Sequence, residues 1–220
     1  MSPVDDRGAP RPHSREAAPR HSGEAAPRHS REAEGLAGSH VAIAAVETSS
    51  IAQGIVTADA MLKQAEVQIL HVSVLSPGRY WIVVGGDVAD VRAAHRRGVE
   101  VAGDTLLDQL FIPQLHEGVM PALRGTVPPG EDDAMGIVET LTAASAIVAA
   151  DAAAKAAGIV LRDLRLANGI GGKGVVVMAG SLPDVQAGVD GGRADAQKRG
   201  LLARAVVIPR LDPRLRARLG

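Results

Sequence analysis

Cysteine is absent from all 220 residues, which excludes disulfides, thiolate metal sites, cysteine-ligated iron–sulfur clusters and cysteine nucleophiles. Aromatic residues are scarce: the chain has one Trp, one Tyr and one Phe, and therefore lacks the stacking platforms of single-stranded nucleic-acid binders. The net charge of −1 gives no overall attraction to nucleic acid or to an anionic membrane. No apolar run approaches the roughly 20 residues of a membrane span, and the N-terminus opens with charged residues instead of a signal-peptide core. We expect a soluble, cytosolic protein.

An internal repeat is the main positive feature of the sequence. The segments that recur are Val46-Glu47-Thr48 as Val138-Glu139-Thr140 and Asp59–Lys63 as Asp151–Lys155 (both 92 residues apart), Gly86 as Gly180 (94 apart) and Ile112-Pro113 as Ile208-Pro209 (96 apart). A period this long is too large for a solenoid repeat and about the size of a small domain. The sequence therefore predicts two fused copies of one domain.

The first 39 residues differ in composition from the rest. A period of eight residues runs from His13 to Arg28 and begins again at His29, with a proline in each full unit and almost no large apolar side chain. Such a segment buries too little surface to offset the entropy of ordering, so we expect a disordered tail over 1–39. Weak metal binding by its evenly spaced histidines is an alternative to simple compositional drift. The predicted domains cover 40–124 and 134–212, with a linker over 125–133 and a C-terminal tail over 213–220.

Each copy reads strand–helix–strand–strand–helix–strand. Short segments rich in glycine and proline join the second and third strands of each copy. Such a short connection requires these two strands to be antiparallel neighbours. The predicted fold class is α+β, with an antiparallel sheet and helices on one face, and not a doubly wound nucleotide fold. In the first copy Thr48 or Ser49 is expected to cap the first helix.

That first helix carries one apolar stripe at helical spacing. The stripe consists of Ile51, Ile55, Ala58, Leu62 and Ala65. The matching positions of the second copy are Ala143, Ile147, Ala150, Ala154 and Ala157. Because alanine buries little area, two such domains gain from shared interfaces, and we expect an obligate oligomer.

A glycine-rich segment, Gly169–Gly174, resembles a phosphate-binding loop at first sight. A phosphate loop lies between a strand and a helix, whereas this segment lies between two predicted strands. Lys173 is followed by glycine, so the Walker spacing fails as well. The favoured interpretation is a loop with positive φ angles that packs close to a neighbour or lines an opening. A nucleotide- or small-ligand-binding sensor or enzyme that uses this loop is the alternative function.

Charged residues at matched positions favour structural roles. Asp59 with Lys63, and Asp151 with Lys155, stand four residues apart on one helix of each copy, the spacing of a helical ion pair. Glu47 and its counterpart Glu139 end the first strand of each copy, where a repeated structural hydrogen bond explains them better than acid–base chemistry. His71, His95 and His116 show no metal-ligand spacing. We predict no catalytic residue and no metal ligand.

With these segments laid out, both copies resemble the bacterial microcompartment shell domain over roughly residues 40–212. The segments that carry the resemblance are Val138-Glu139-Thr140, Asp59-Ala60-Met61-Leu62-Lys63, Gly86-Asp87-Val88 and Val207-Ile208-Pro209-Arg210. Within that family the chain is similar to the tandem-domain shell protein of propanediol-utilisation compartments. The segments involved are Leu75–Arg79, Ala102-Gly103-Asp104 and Asn168–Lys173.

The resemblance implies a homotrimer whose six domains mimic a hexagonal tile. Such tiles pack edge to edge with other shell proteins into a shell around enzymes, inside the bacterial cytoplasm. It implies edge contacts by Lys63, Lys155 and Arg210, although the first copy has Gln114 where the second has Arg210. No nucleic-acid or membrane partner is implied.

The resemblance also implies a central pore for small polar or anionic metabolites. The pore-lining residues are Ser76, Pro77, Gly78, Arg79, Gly169, Ile170, Gly171, Gly172 and Lys173. In the propanediol-type relative the position of Ser76 is a cysteine that holds an iron–sulfur cluster. Serine is a poor iron ligand, so we expect no cofactor. If Arg79 or Lys173 faces the opening, three positive charges favour anions; the alternative is that both pair with carboxylates away from the axis.

Overall fold

The two copies of the repeat form two four-stranded antiparallel sheets in a computed structural model that describes residues 42–128, 130, 134–167 and 169–215. The tail predicted over 1–39 lies outside these residues. The first copy contains β1 (Ala42–Thr48), α1 (Ile51–Gln64), β2 (Gln68–Leu75), β3 (Arg79–Gly86), α2 (Val88–Ala102), a 3-10 turn (Gly103–Thr105), β4 (Leu106–Ile112) and then α3 (Val119–Leu123). The second contains β5 (Ala134–Thr140), α4 (Ala143–Ala156), β6 (Val160–Leu166), β7 (Gly174–Gly180), α5 (Leu182–Lys198) and β8 (Leu202–Ile208).

The strand pairing is the same in both sheets. The strand order is β2-β3-β1-β4 in the first and β6-β7-β5-β8 in the second. The register repeats as well, because Ala42 faces Gly86 where Ala134 faces Gly180, and both ladders shift after the strand glutamate. The α+β class and the antiparallel arrangement predicted from the sequence are confirmed.

The cap of α1 differs from the sequence prediction. Ser50, and not Thr48 or Ser49, is the N-cap, and its hydroxyl accepts from the Gln53 amide. The reason is that β1 continues to Thr48, whose hydroxyl donates to the Ser50 carbonyl. The next residue, Ser49, bonds back to Thr105 instead of to the helix.

Part of the apolar stripe of α1 faces away from its own sheet. The residues that α1 buries are Gly54, Thr57, Ala58 and Met61. Tight packing on β3 explains the small residues, since a Cβ at Gly54 would lie 2.4 Å from the Tyr80 Cβ. Ile51, Ile55 and Leu62 are instead 37%, 53% and 37% exposed. The periodicity identified a real helix face, and its two isoleucines and its leucine stay exposed on one chain.

The matching stripe of α4 is buried, because the first copy covers it. Ala143, Ile147 and Ala154 are 0%, 1% and 8% exposed. The helix α4 packs against β4 and β1 of the first copy, and one cluster of buried apolar residues contains side chains of both copies. The two domains are therefore joined by a helix of the second copy that lies on the sheet of the first.

Candidate functional site

A buried carboxylate anchors this domain junction. The Glu47 side chain is fully buried at the end of β1, where Nη1 of Arg79 donates to its Oε1 at 2.8 Å. Its Oε2 accepts from the Ala143 amide at 3.1 Å, in the first turn of α4. Burial raises the pKa of Glu47, and the contacts with Arg79 and the amide only partly oppose that rise. A negative charge at a helix N-terminus is favourable, so Glu47 ties the second copy to the first. This confirms a structural role for it.

A second buried carboxylate lies beside the first. Asp108 on β4 pairs with Glu47 across the ladder, and its side chain is fully buried. It accepts from the hydroxyls of Thr142 and Ser145 at the start of α4, and from the Arg199 guanidinium. Burial alone lowers the pKa of Arg199, but the contacts with Asp108 raise it overall. Sequence reasoning missed Asp108; the available signal was an acidic residue in the middle of a strand.

The same position of the second copy is built differently. Glu139 accepts from Nζ of Lys173 at 2.8 Å, and its side chain is 32% exposed. Its neighbour across the ladder is Arg204, where the first copy has Asp108. The second copy therefore presents a partly exposed carboxylate next to an exposed cation.

The two loops predicted to line a pore lie next to each other. Nη1 of Arg79, which begins β3, donates to the Gly172 carbonyl of the β6–β7 loop at 3.4 Å. Gly172 has a φ of +82°, and a Cβ there would lie 2.9 Å from the Arg79 Cζ and 3.2 Å from the Ser76 carbonyl oxygen. Glycine at this position is therefore required by both conformation and space.

The remaining loop residues are mostly open to solvent. Ser76, Pro77 and Gly78 are exposed, as are Gly169 and Gly171, and Ile170 is half-buried. The two basic residues are both paired, Arg79 with Glu47 and Lys173 with Glu139. Both ion pairs agree with the carboxylate pairing that the alternative above describes.

The β6–β7 loop joins two strands and does not lead into a helix. The strand β7 begins at Gly174, directly after Lys173. A phosphate loop needs the positive end of a helix at this point, so the geometry favours the lining role over the nucleotide alternative. Among the described residues no group of three or more His, Cys, Asp or Glu side chains is placed to hold a metal ion. The described helices include none that is both long and apolar enough to cross a membrane.

The predicted edge lysines occupy matched but unequal environments. Lys63 bonds to Asp59 at 2.7 Å and its side chain is 75% exposed. Lys155 bonds to Asp151 at 2.6 Å and also donates to the Gln114 carbonyl at 2.5 Å. Thus the lysine of the second copy meets the segment that follows β4.

Arg210, the third predicted edge residue, is exposed two residues after β8. It stands at the position that Gln114 occupies after β4. The structure therefore brings Lys155 and the Gln114 position together within one chain. Arg210 after β8 matches Gln114, and Lys63 on α1 matches Lys155.

Comparison with known proteins agrees with this arrangement. The BMC domain family matches the chain twice, at residues 42–115 and 134–211. The bacterial microcompartment shell protein PduT of Citrobacter freundii is 42% identical over 169 residues, which cover 77% of this chain and 92% of PduT. The carboxysome shell protein CcmK2 of Synechococcus elongatus is 31% identical over 83 residues, or 36% of this chain and 81% of CcmK2.

A solved structure is similar over both copies. The crystal structure of a microcompartment protein from Desulfitobacterium hafniense DCB superposes with a TM-score of 0.72 at 39% identity, covering 81% of this chain and 99% of that one. The match therefore extends to the tandem arrangement and not only to the single domain. The chain belongs to the BMC-domain family of bacterial microcompartment shell proteins, which are structural components and not enzymes.

Proposed function

We propose that this protein is a shell tile that assembles as a homotrimer, with two shell domains over 40–124 and 134–212 in each protomer. The observation that carries the proposal is that the junction between the two copies covers one helix surface and one sheet surface and leaves the matching pair uncovered. The covered pair consists of α4 of the second copy and the sheet of the first, so each junction joins two different surfaces. A head-to-tail contact of this kind closes into a ring when the rotation between neighbouring protomers is a whole-number fraction of a full turn.

The unused helix surface is the exposed stripe of α1. Ile55 is 53% exposed, whereas Ile147 at the matching position is 1% exposed. Exposed apolar stripes of this kind mark contact surfaces. In the proposed trimer the stripe packs on the second copy of the preceding protomer, as α4 packs on the first copy within one chain.

The unused sheet surface is the outer face of the second sheet. In the first sheet the matching residues are buried: Ala45, Trp81, Val83, Leu110 and Ile112. In the second sheet they are half-buried: Ile137, Val175, Val177, Val206 and Ile208. An open groove of about 360 Å³ runs along β8 beside Arg204. The helix α1 of a neighbouring protomer supplies the apolar stripe that this face lacks.

Glu139 completes the proposed junction. Its Oε1 is held by Lys173, as Oε1 of Glu47 is held by Arg79. In the first copy the second oxygen of Glu47 accepts the Ala143 amide. At the trimer junction the second oxygen of Glu139 accepts the Ile51 amide of the neighbouring protomer, which opens α1 in the same way.

The position of the two loops supports a central pore. Residues 76–79 and 169–173 lie side by side within one protomer, so repetition around a threefold axis alternates them around a central opening. The opening is lined by hydroxyls and backbone groups, which suit small polar metabolites. Because both basic residues are paired, anions pass without a strong preference over neutral solutes.

Tile edges are the remaining part of the proposal. Shell proteins assemble with other shell proteins, and we place Lys63, Lys155 and Arg210 at the contacts between neighbouring tiles. Enclosed enzymes are further partners of the inner face. The shell has no cofactor in this proposal, since Ser76 offers a hydroxyl where a cluster needs a thiolate.

Light scattering and electron microscopy test the proposal together. The expected particle contains three chains of 22.6 kDa and forms extended sheets at higher concentration. Arg210→Asp is expected to keep the trimer and abolish the sheets, because its exposed side chain lies at the proposed tile edge and a reversed charge then meets the neighbouring tile. Lys198→Asp, at an exposed lysine outside the proposed edge residues, is the control. A monomer for the wild type, or unaltered sheets from Arg210→Asp, contradicts the proposal.

A further inference from the structure

The segment that follows β4 and ends with α3, residues 113–123, forms a strap across the domain junction. Its helix α3 packs in the cleft between β6 and α4 of the second copy, where Val119 and Ala122 are both 0% exposed. Two polar contacts fix the segment, the His116 amide to Oδ1 of Asp151 at 2.8 Å and the Lys155 ammonium to the Gln114 carbonyl. The first copy thus holds the second by a strap as well as by its sheet.

The segment after β8 repeats the start of this strap. Leu211 is 3% exposed and matches Leu115, which is 8% exposed. The Leu215 amide donates to the Asp212 carbonyl at 3.0 Å, as the Val119 amide donates to the His116 carbonyl at 3.0 Å. Leu215, however, is 48% exposed. Leu215 therefore has the same backbone hydrogen bond as Val119, but no β6 and α4 surface covers its side chain within the described part of the chain.

The first copy has a matching cleft, which lies between α1 and β2. This cleft is uncovered on the same chain. Val56 on α1 is 53% exposed, while Val148 on α4 is partly buried in the junction cluster. The Asp59 side chain is 59% exposed against 11% for Asp151. On β2, Ile69 is half-buried, whereas its counterpart on β6 is buried.

We propose that residues 211–215 of one protomer dock in the cleft between α1 and β2 of a second copy. The inference rests on the trimer proposed above and names a contact that the trimer does not by itself require. Leu215 packs against Val56 and Ile69, and the Asp212 amide donates to the Asp59 carboxylate. The sequence continues the match, because a leucine at 219 stands 96 residues after Leu123.

The charges at this contact are compatible with docking. Asp212 replaces His116 of the internal strap, which brings a second carboxylate near Asp59. Arg214 contacts both oxygens of Asp212, at 3.1 and 3.0 Å, and so offsets the repulsion. Arg210 of the same segment has its carbonyl where Gln114 offers one to Lys155, and Lys63 is the lysine that reaches it.

Cysteine pairs test the contact directly, because the natural chain contains no cysteine. Val56→Cys with Leu215→Cys is expected to give dimers and trimers on a denaturing gel after treatment with a short bismaleimide. Val148→Cys with Leu215→Cys is the matched control, since Val148 is already covered within its own chain. The reaction is run at a concentration where light scattering shows trimers and no larger particles.

Deletion of residues 213–220 provides the second measurement. Losing one apolar contact per junction is expected to weaken trimer association by roughly tenfold or more, with Leu215→Met close to the wild type. Amide exchange in β2 is expected to speed up in the truncated protein. Normal trimer formation by the truncated protein, together with no cross-link in the Val56→Cys, Leu215→Cys protein, overturns this inference alone. A wild-type monomer overturns the proposed trimer with it.

Discussion

Two isoleucines at matched positions allow the effects of the proposed trimer junction to be measured separately from those of the protomer fold. Ile147 is 1% exposed and packs in the cluster that joins the two copies, whereas Ile55 is 53% exposed on the protomer. Truncating a buried isoleucine to alanine costs about 2–5 kcal/mol. We therefore expect Ile147→Ala to lower the free energy of unfolding of the protomer by that amount.

Ile55→Ala is expected to act on association instead. Full burial of an isoleucine side chain is worth about 1.5–3 kcal/mol, and roughly half of this side chain is still exposed on the protomer. Each trimer junction then loses about 1 kcal/mol, and three junctions lose about 3 kcal/mol, which corresponds to roughly a hundredfold in the trimer association constant. Alanine has the higher helix propensity, so protomer stability is unchanged or slightly raised.

Sedimentation at several concentrations and urea unfolding under dissociating dilution measure the two effects. The expected pattern is crossed: Ile55→Ala changes the association constant, and Ile147→Ala changes the unfolding midpoint at all concentrations. Equal loss of protomer stability in both variants, or an unchanged association constant for Ile55→Ala, refutes the assignment of α1 to the trimer junction.

Three further changes address the buried charge, the close packing and the loops. Because burial raises the folded pKa of Glu47 above its ordinary value of 4.5, its contribution to stability is complete below that pH and is lost as the pH rises through the folded pKa; unfolding curves of Glu47→Gln, compared with the wild type between pH 4 and about 8, should lack this loss. Gly174→Ala places a Cβ 2.2 Å from the Ala146 Cβ and is expected to lower the unfolding free energy by about 1–3 kcal/mol, while Gly158→Ala, whose nearest neighbour is 3.9 Å away, serves as the control. Lys173→Gln removes the positive charge that balances the Glu139 carboxylate near the proposed opening, so conductance across reconstituted tiles should shift toward cations; unchanged selectivity contradicts that loop placement.

The order of strands and helices could be predicted from the sequence because the two copies show the same pattern independently. Both copies have the predicted order of strand, helix, two strands, helix and strand. The helix α3 was not foreseen, because a five-residue helix carries no periodicity. Its existence depends on β6 and α4, which lie far along the chain and cover it.

The site was only partly predictable, for a different physical reason. The residue types of the loops and the lysine pairs are visible in the sequence, and their ion pairs are present. Which carboxylate neutralises Arg79 depends on the register of β1 and β3, which places Glu47 next to the loop end. The stripe of α1 was visible too, but a helix with two apolar faces does not say which one meets its own sheet.

Fusion of the two copies explains why their junctions differ. In one chain the first junction is always formed, since the linker keeps α4 near the first sheet. Small residues such as Ala143 suffice there, and the fully buried Asp108 is matched by two hydroxyls and Arg199. In the proposed trimer the second junction joins separate molecules and has to offset the loss of their translational freedom. It carries the larger Ile51 at the position of Ala143, and Arg204 stands next to Glu139 where the first junction places two carboxylates side by side. The stronger apolar stripe therefore lies on the surface that must find its partner by diffusion.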